Sequence, residues 1–238
     1  MINSERSQKI LLVTGSSRGI GRHIAEFYCN ENYAVIGCST GSSTIEHHNY
    51  KHYSIDLASD ADLLKMVADI RKIYKRLDVL INNAAINPAI MSSALVPYAT
   101  IEKIYKVNVY APMLLCREAI KLMIRHKFGR IINIGSMAAK LEVAGEGLYT
   151  STKAALNAYS RVLAKEVYKM GITVNVLAPS AIPTDLSAQI NQNALTDVLA
   201  RNAVQEYGTM QDVTNTLNYL INEESSAITG QIIYLGGV

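Results

Sequence analysis

Cysteine is scarce in this chain and charge is almost balanced, and each shortage closes off a class of function. The 238 residues include three cysteines, Cys29, Cys38 and Cys116. An odd number without metal-like spacing fits neither a disulfide framework nor a thiolate metal centre. Each lies in an apolar stretch where a small buried thiol is expected, and a reducing cytoplasm suits such thiols. The net charge is only +3, and the cations are scattered, so the basic tract that a nucleic-acid partner requires is missing. Long apolar runs are missing too. The polar residues 1–8 lead into an apolar run of about five residues at Ile10, too short for a signal peptide or a membrane span. The expected location is cytoplasmic, with no membrane partner. His47, His48 and His52 cluster without a Cys or acid at ligand spacing, so they read as a solvated turn and no metal is expected.

What is present is the composition of a compact enzyme. Hydrophobic residues make up 49% and charged residues 18%, which is wrong for a disordered or fibrous chain. A chain of this length fits one α/β domain with room for a substantial core, without repeats, linkers or low-complexity tracts. Apolar runs alternate with longer segments of helical period, the pattern of a parallel sheet covered by helices on both faces. The reading predicts about seven strands, at 9–14, 33–39, 50–56, 78–82, 130–135, 172–177 and 231–235. It places helices at about 20–32, 60–75, 98–126, 149–169, 193–203 and 211–222. Residues 41–49 are short, polar and close to the minimum of about a dozen for a parallel crossover, so a loop is expected there in place of a helix.

The chemistry gathers in a few motifs. Thr14-Gly15-Ser16-Ser17-Arg18-Gly19-Ile20-Gly21 follows the first strand and opens a helix. Its glycines let backbone approach a pyrophosphate, and the helix aims free N–H groups at it. Tyr149 and Lys153 lie four residues apart on one helical face, downstream of Ser136 at a strand end. A free phenol titrates near 10, so a nearby ammonium is needed to make its anion a useful base at neutral pH. A serine hydroxyl at that place can stabilise developing negative charge on a substrate oxygen.

Together these motifs resemble the short-chain dehydrogenase/reductase family over essentially the whole chain, in the single-domain subgroup whose turn reads T-G-x-x-x-G-x-G. Asp56 after the third strand, Asn82-Asn83-Ala84-Ala85 after the fourth, Asn108, and Pro179 with Ile182 and Thr184 carry the rest of the likeness. The resemblance implies a Rossmann-like doubly wound sheet and hydride transfer between a nicotinamide and a carbonyl or alcohol. It makes Tyr149 the general acid/base, with Lys153 lowering its pKa and binding the nicotinamide ribose. Ser136 holds the substrate oxygen, and Asn108 distorts its helix to hold a relay water; the plainer reading of Asn108 is an interior amide bonded to backbone. Gly15, Ser17, Arg18, Gly19, Ile20 and Gly21 would cradle phosphate. Asp56 and Leu57 would contact adenine, and Asn82 and Ala84 the adenosine ribose. Pro179 and Ile182 would meet the nicotinamide, and Thr184 the phosphates. A homotetramer is implied, with Tyr110, Met113, Leu114, Tyr159 and Val162 available as contact surface.

Charge speaks to the cofactor. No acid stands at the end of the second strand, where one would bond a ribose 2′-hydroxyl and repel a 2′-phosphate. Arg18 and the hydroxyls of Ser39, Thr40 and Ser42 can instead donate to a phosphate. NADP(H) is therefore preferred, with NAD(H) still admitted. Two departures from the family pattern, Ala85 and Ser180 in place of glycines, alter local backbone freedom. The substrate is a small-molecule carbonyl or alcohol, and length and spacing look like 3-oxoacyl-[acyl-carrier-protein] reductases. An acidic carrier protein would need a basic face, for which Arg125, Lys127, Arg130 and Lys169 are candidates beside the cleft. A lid near 187–207 carries Gln189, Asn191, Gln192, Asn193 and Asn202, which suit a polar, sugar-like substrate. An idle NADP-binding scaffold is the reading of another class.

Overall fold

A computed structural model of the protein describes residues 8–88, 92–183 and 199–237. Seven strands form one sheet in the order β3-β2-β1-β4-β5-β6-β7, and every neighbouring pair is parallel. In chain order the elements are β1 (Ile10–Thr14), α1 (Gly19–Asn30), β2 (Ala34–Ser39), β3 (Tyr50–Ser54), α2 (Asp60–Tyr74) and β4 (Val79–Asn82). After these come α3 (Tyr98–Tyr105), α4 (Ala111–Met123), β5 (Gly129–Ile134), α5 (Ala138–Leu141), α6 (Gly147–Val167), β6 (Ile172–Ala178), α7 (Met210–Ile221) and β7 (Ile232–Tyr234).

Strand residues alternate between two cores because successive side chains leave a strand on opposite faces. Leu11 and Val13 join Val35, Ile81, Ile132 and Leu177 beneath α1 and α7. Ile10 and Leu12 join Ile36, Leu80, Ile131 and Val174 beneath α2, α4 and α6. Burial on both faces is why these strands read as continuous apolar runs. All strands point the same way, so their C-terminal ends make one rim, and the strand order reverses between β1 and β4. Ligands of such sheets bind in the crevice outside that switch point.

Two features of the chain differ from plain expectation or define it. The segment 98–126 is not one helix: Lys106–Tyr110 forms a wide π-type turn in which the Ala111 amide reaches back to the Lys106 carbonyl. Pro112 in the first turn of α4 has no N–H to give a continuous ladder. Between β2 and β3 there is no helix, as the short connection requires. Thr44 Oγ1 instead donates to the Ser17 carbonyl at 2.8 Å, and Ile45 plugs the core under α1. Of the expected helix at 193–203, residues 193–198 lie outside the described residues.

Candidate active site

The glycine-rich turn is built by close approach. Gly15 adopts φ +71, and the Gly15 and Ser16 amides both donate to the Cys38 carbonyl, at 2.8 and 3.2 Å, which ties the turn to the end of β2. A Cβ on Gly21 would collide with the Gly15 carbonyl oxygen and the Asn83 amide, so only glycine lets α1 start so close to β1. Helix α1 has no side-chain cap at Arg18, unlike α2, whose first turn is capped by Ser59. Its leading amides suit an anion. Across the switch point, Thr14 Oγ1 accepts from the Asn83 and Ala84 amides, each at 3.0 Å, and Asn83 Nδ2 donates to the Thr14 carbonyl at 2.9 Å.

These walls enclose a cavity of about 400 Å³. Gly15, Ser17, Arg18, Gly19 and Ile20 line one side, Ser39 and Thr40 the tip of β2, Asp56 and Leu57 the exit of β3, and Ala84 the exit of β4. Asp56 Oδ1 accepts from the Ala58 amide at 2.9 Å, which fixes its carboxyl at the rim. Asn83, Ala85, Ile86, Lys103 and Val107 also line the space; sequence reasoning did not assign them. Only the family motif pointed near Asn83. Asn82 is not among the residues lining the cavity; its side chain is buried and donates to Asn133 Oδ1 at 2.8 Å, so only its backbone is left to meet a ribose. Gly21 stands behind the turn as a packing position.

The reacting groups sit on α6 and on the exits of β5 and β6. Tyr149 and Lys153 are buried, one helical turn apart, with Lys153 Nζ 5.6 Å from the centre of the Tyr149 ring. Lys153 Nζ donates to the Ile134 carbonyl at 2.7 Å, so the last residue of β5 aims the ammonium. Burial lowers the Lys153 pKa to about 8. Burial raises the Tyr149 phenol to about 12, against a downward pull from its hydrogen bond with Ser136, while the negative field of Glu146 adds to the rise. Ser136 Oγ also accepts from the Ala138 amide at 3.1 Å, which orients its hydroxyl. At neutral pH the phenol is thus a proton donor held beside a hydroxyl and a cation.

Asn108 occupies the wide turn after α3. Its Oδ1 accepts from the Ile86 amide at 2.8 Å and its Nδ2 donates to the Ile86 carbonyl at 2.9 Å. The same Nδ2 reaches Thr152 Oγ1 at 3.2 Å. These contacts are those of an interior amide bonded to backbone; they clamp the β4 exit to the residue before Lys153. Pro179 and Ile182 are buried just past β6, and Thr184 lies outside the described residues. Residues 187–198 of the expected lid lie outside them as well. Asn202 does not offer its amide outward: it is buried, and Nδ2 donates to Ser180 Oγ at 2.9 Å.

The expected basic face is also corrected. Residues 125–127 precede β5 and Lys169 precedes β6, so within the subunit they lie at the end of the sheet opposite the cleft. Arg130 is buried, with its guanidinium donating to the Asn222, Glu223 and Gly129 carbonyls and stacked 4.4 Å from the Phe128 ring centre. No group of three or more His, Cys, Asp or Glu able to hold a metal occurs among the described residues. None of the described helices is long and apolar enough to cross a membrane.

Residues 9–195 match the family model described as short chain dehydrogenase. The chain belongs to the short-chain dehydrogenase family. This dehydrogenase is 33% identical over 237 residues to the 3-oxoacyl-[acyl-carrier-protein] reductase FabG of Salmonella typhimurium, covering 96% of both chains. Among solved structures it is similar to 4-hydroxyisoleucine dehydrogenase complexed with NADH, at 26% identity and a TM-score of 0.87, covering 97% of this chain and 98% of that one. ElxO with NADP bound is similar at 26% identity and a TM-score of 0.86, covering 96% and 97%. The dehydrogenase is accordingly a nicotinamide-dependent oxidoreductase acting on carbonyl or alcohol groups.

Proposed function

We propose that this dehydrogenase is an NADP(H)-dependent reductase of a carbonyl substrate, with a 3-oxoacyl thioester as the first candidate. The observation that carries the reading is the buried Tyr149, protonated at neutral pH, beside Ser136 and Lys153, where Ser136 follows the C-terminal end of β5 on the sheet whose β1 exit carries the glycine-lined cavity. The nicotinamide, when bound, supplies or accepts hydride. The residues around the cavity fit it: the uncapped start of α1 and Arg18 suit phosphate, and Ser39 and Thr40 replace the acid that would repel a 2′-phosphate. Tyr149 Oη gives its proton to the reduced oxygen, Ser136 Oγ donates a hydrogen bond to that oxygen, and Lys153 stabilises the phenolate left behind. Asn108 keeps the β4 exit and α6 in register for this transfer.

The FabG relative supports the thioester substrate. The likeness to 4-hydroxyisoleucine dehydrogenase supports a second reading, a small polar metabolite. The intact set of Asn108, Ser136, Tyr149 and Lys153 speaks against an idle NADP-binding scaffold, which has no need of all four. A homotetramer in the cytoplasm belongs to the same reading, and Tyr110 and Val162, exposed by 59% and 55%, supply apolar surface on the wide turn before α4 and on α6 for it. The test follows loss of reduced-nicotinamide absorbance with a short 3-oxoacyl thioester and, in parallel, a panel of polar ketones, each with NADPH and NADH. Turnover of the thioester with NADPH supports the proposal. Turnover of polar ketones alone moves the assignment to the second reading, and tight NADPH binding without turnover of any carbonyl favours the scaffold.

A further inference from the structure

Behind the tip of β2 lies a line of hydrogen bonds that the proposed chemistry leaves unused. The parallel register sets Val35 beside Tyr50 and Gly37 beside His52, so Tyr50 and His52, two strand positions apart, project on one face. Gly37 has no side chain there, and a Cβ on it would collide with the Tyr50 hydroxyl and Ser16 Oγ. The gap lets the Tyr50 ring lie across β2 and reach the glycine-rich turn. Ser16 Oγ and Tyr50 Oη are 2.8 Å apart, and Tyr50 Oη is 2.9 Å from His52 Nδ1. On the other side of the ring, His52 Nε2 stands 3.0 Å from the Gly41 carbonyl and 3.2 Å from Ser39 Oγ.

One neutral tautomer satisfies the whole line. Tyr50 donates to Nδ1, and the Nε2–H is shared between the Gly41 carbonyl and Ser39 Oγ. The Ser39 hydroxyl itself points at the Gly41 carbonyl, 3.2 Å away; because the ring Nε2–H serves the same carbonyl, the hydroxyl can turn to another acceptor without leaving that carbonyl unpaired. Ser39 and Thr40 line the cavity opposite Arg18. Beyond Ser39, whose carbonyl accepts from the Ile55 amide at 2.9 Å, no helix follows β2, a Cβ on Gly41 would meet nothing within 4 Å, and the side-chain hydrogen bond at Thr40 among the described residues is from Ser54 Oγ to its carbonyl at 3.3 Å.

We propose that His52, braced by Tyr50 through the gap at Gly37, is a positioning residue that turns the Ser39 hydroxyl toward the ribose 2′-phosphate and so sets the preference for NADP(H) over NAD(H). The inference rests on the NADP(H) reading given above. A purely structural tie on the outer strand would support both cofactors equally, since both need the same glycine-rich turn. A tie that orients a phosphate donor affects only the phosphorylated one.

The test measures Kd for NADPH and for NADH by calorimetry on the wild-type protein and on H52A, Y50F and H52Q. In H52A and Y50F, NADPH should bind roughly tenfold more weakly, the size of one hydrogen bond to a charged group, with NADH changed less than about twofold. Glutamine carries an N–H near the place of Nε2, so H52Q should recover most of the NADPH affinity. Equal weakening of both cofactors, or no weakening in either variant, overturns the inference while leaving the cofactor reading intact. A wild-type protein that binds the two cofactors equally overturns the NADP(H) reading itself. Y50F keeps the ring and its packing, so it decides the matter should H52A fail to fold.

Discussion

Replacing Lys153 by Met should make the cofactor-free protein more stable at neutral pH and less stable in alkali. Burial lowers the pKa of this lysine from 10.5 to about 8, which at about 1.4 kcal/mol per pH unit is roughly 3 kcal/mol against the charged form in the fold. At pH 7 the ammonium is charged in both folded and unfolded chains, so the whole penalty is present. Methionine has a similar shape and no charge, and removes it. The substitution also strands the Ile134 carbonyl, which accepts from Nζ at 2.7 Å, and an unpaired buried carbonyl costs about 1–3 kcal/mol. The balance is a gain of about 1 kcal/mol at pH 7. Between pH 8 and 10.5 the unfolded chain holds a proton on Lys153 that the folded chain has lost, so wild-type stability rises with pH relative to the variant. Above 10.5 the penalty is gone and K153M should be the weaker protein by about 1–3 kcal/mol. Urea unfolding of both proteins from pH 7 to 10.5 reads the difference, in which the raised tyrosine and cysteine groups shared by both proteins cancel. A difference that stays flat or moves in favour of K153M as pH rises refutes the argument.

Y149F should lower turnover by about 10²- to 10⁴-fold, the usual worth of a general acid, while calorimetry shows NADPH affinity within about twofold of wild type. G21A forces a Cβ against the Gly15 carbonyl, and should cost about 1–3 kcal/mol in chemical denaturation and weaken both nicotinamide cofactors together. T14V leaves the Asn83 and Ala84 amides without their acceptor and should lose about 1–3 kcal/mol; unchanged stability would show that water replaces the hydroxyl without cost.

Much of the architecture was legible because the central strands β1, β4, β5 and β6 are buried on both faces and the helices on one, so periodicity and length separate them. The motifs also came together as their order along the chain suggests, with Tyr149, Lys153 and Ser136 in one place. Side-chain direction was not legible at Asn82, where two asparagines in succession face opposite ways and the motif alone does not say which one meets the crevice. Periodicity alone did not show the break after Tyr105, because residues 98–126 keep a helical period on either side of it; the family resemblance, which has Asn108 distort its helix, pointed to it. Pro112 gives it a local reason, and the bonds of Asn108 to Ile86, distant in sequence, hold it. The basic face was misplaced for a reason the sequence did contain: residues just before a parallel strand lie at the opposite end from residues just after one. Arg130 was read by its charge, whereas its stem and guanidinium serve as an interior clamp on three carbonyls.

The wide turn at Lys106–Tyr110 has a consequence for which changes in chain length this protein can absorb. Relative to a regular helix it holds one surplus residue, and each residue advances an α-helix by about 100°. Deleting any one residue between 106 and 110 would restore the regular helical turn from α3 into α4, save for the N–H that Pro112 lacks, yet rotate one half against the other by that angle. Either Asn108 would swing away from Ile86, or the Leu115, Ala119 and Leu122 stripe of α4 would turn out of its core. A segment that looks like the easiest place to shorten a long helix is thus a place where insertions and deletions should be rejected in a library selected for activity, while the loop at 41–49 should accept them more readily away from its anchoring residues.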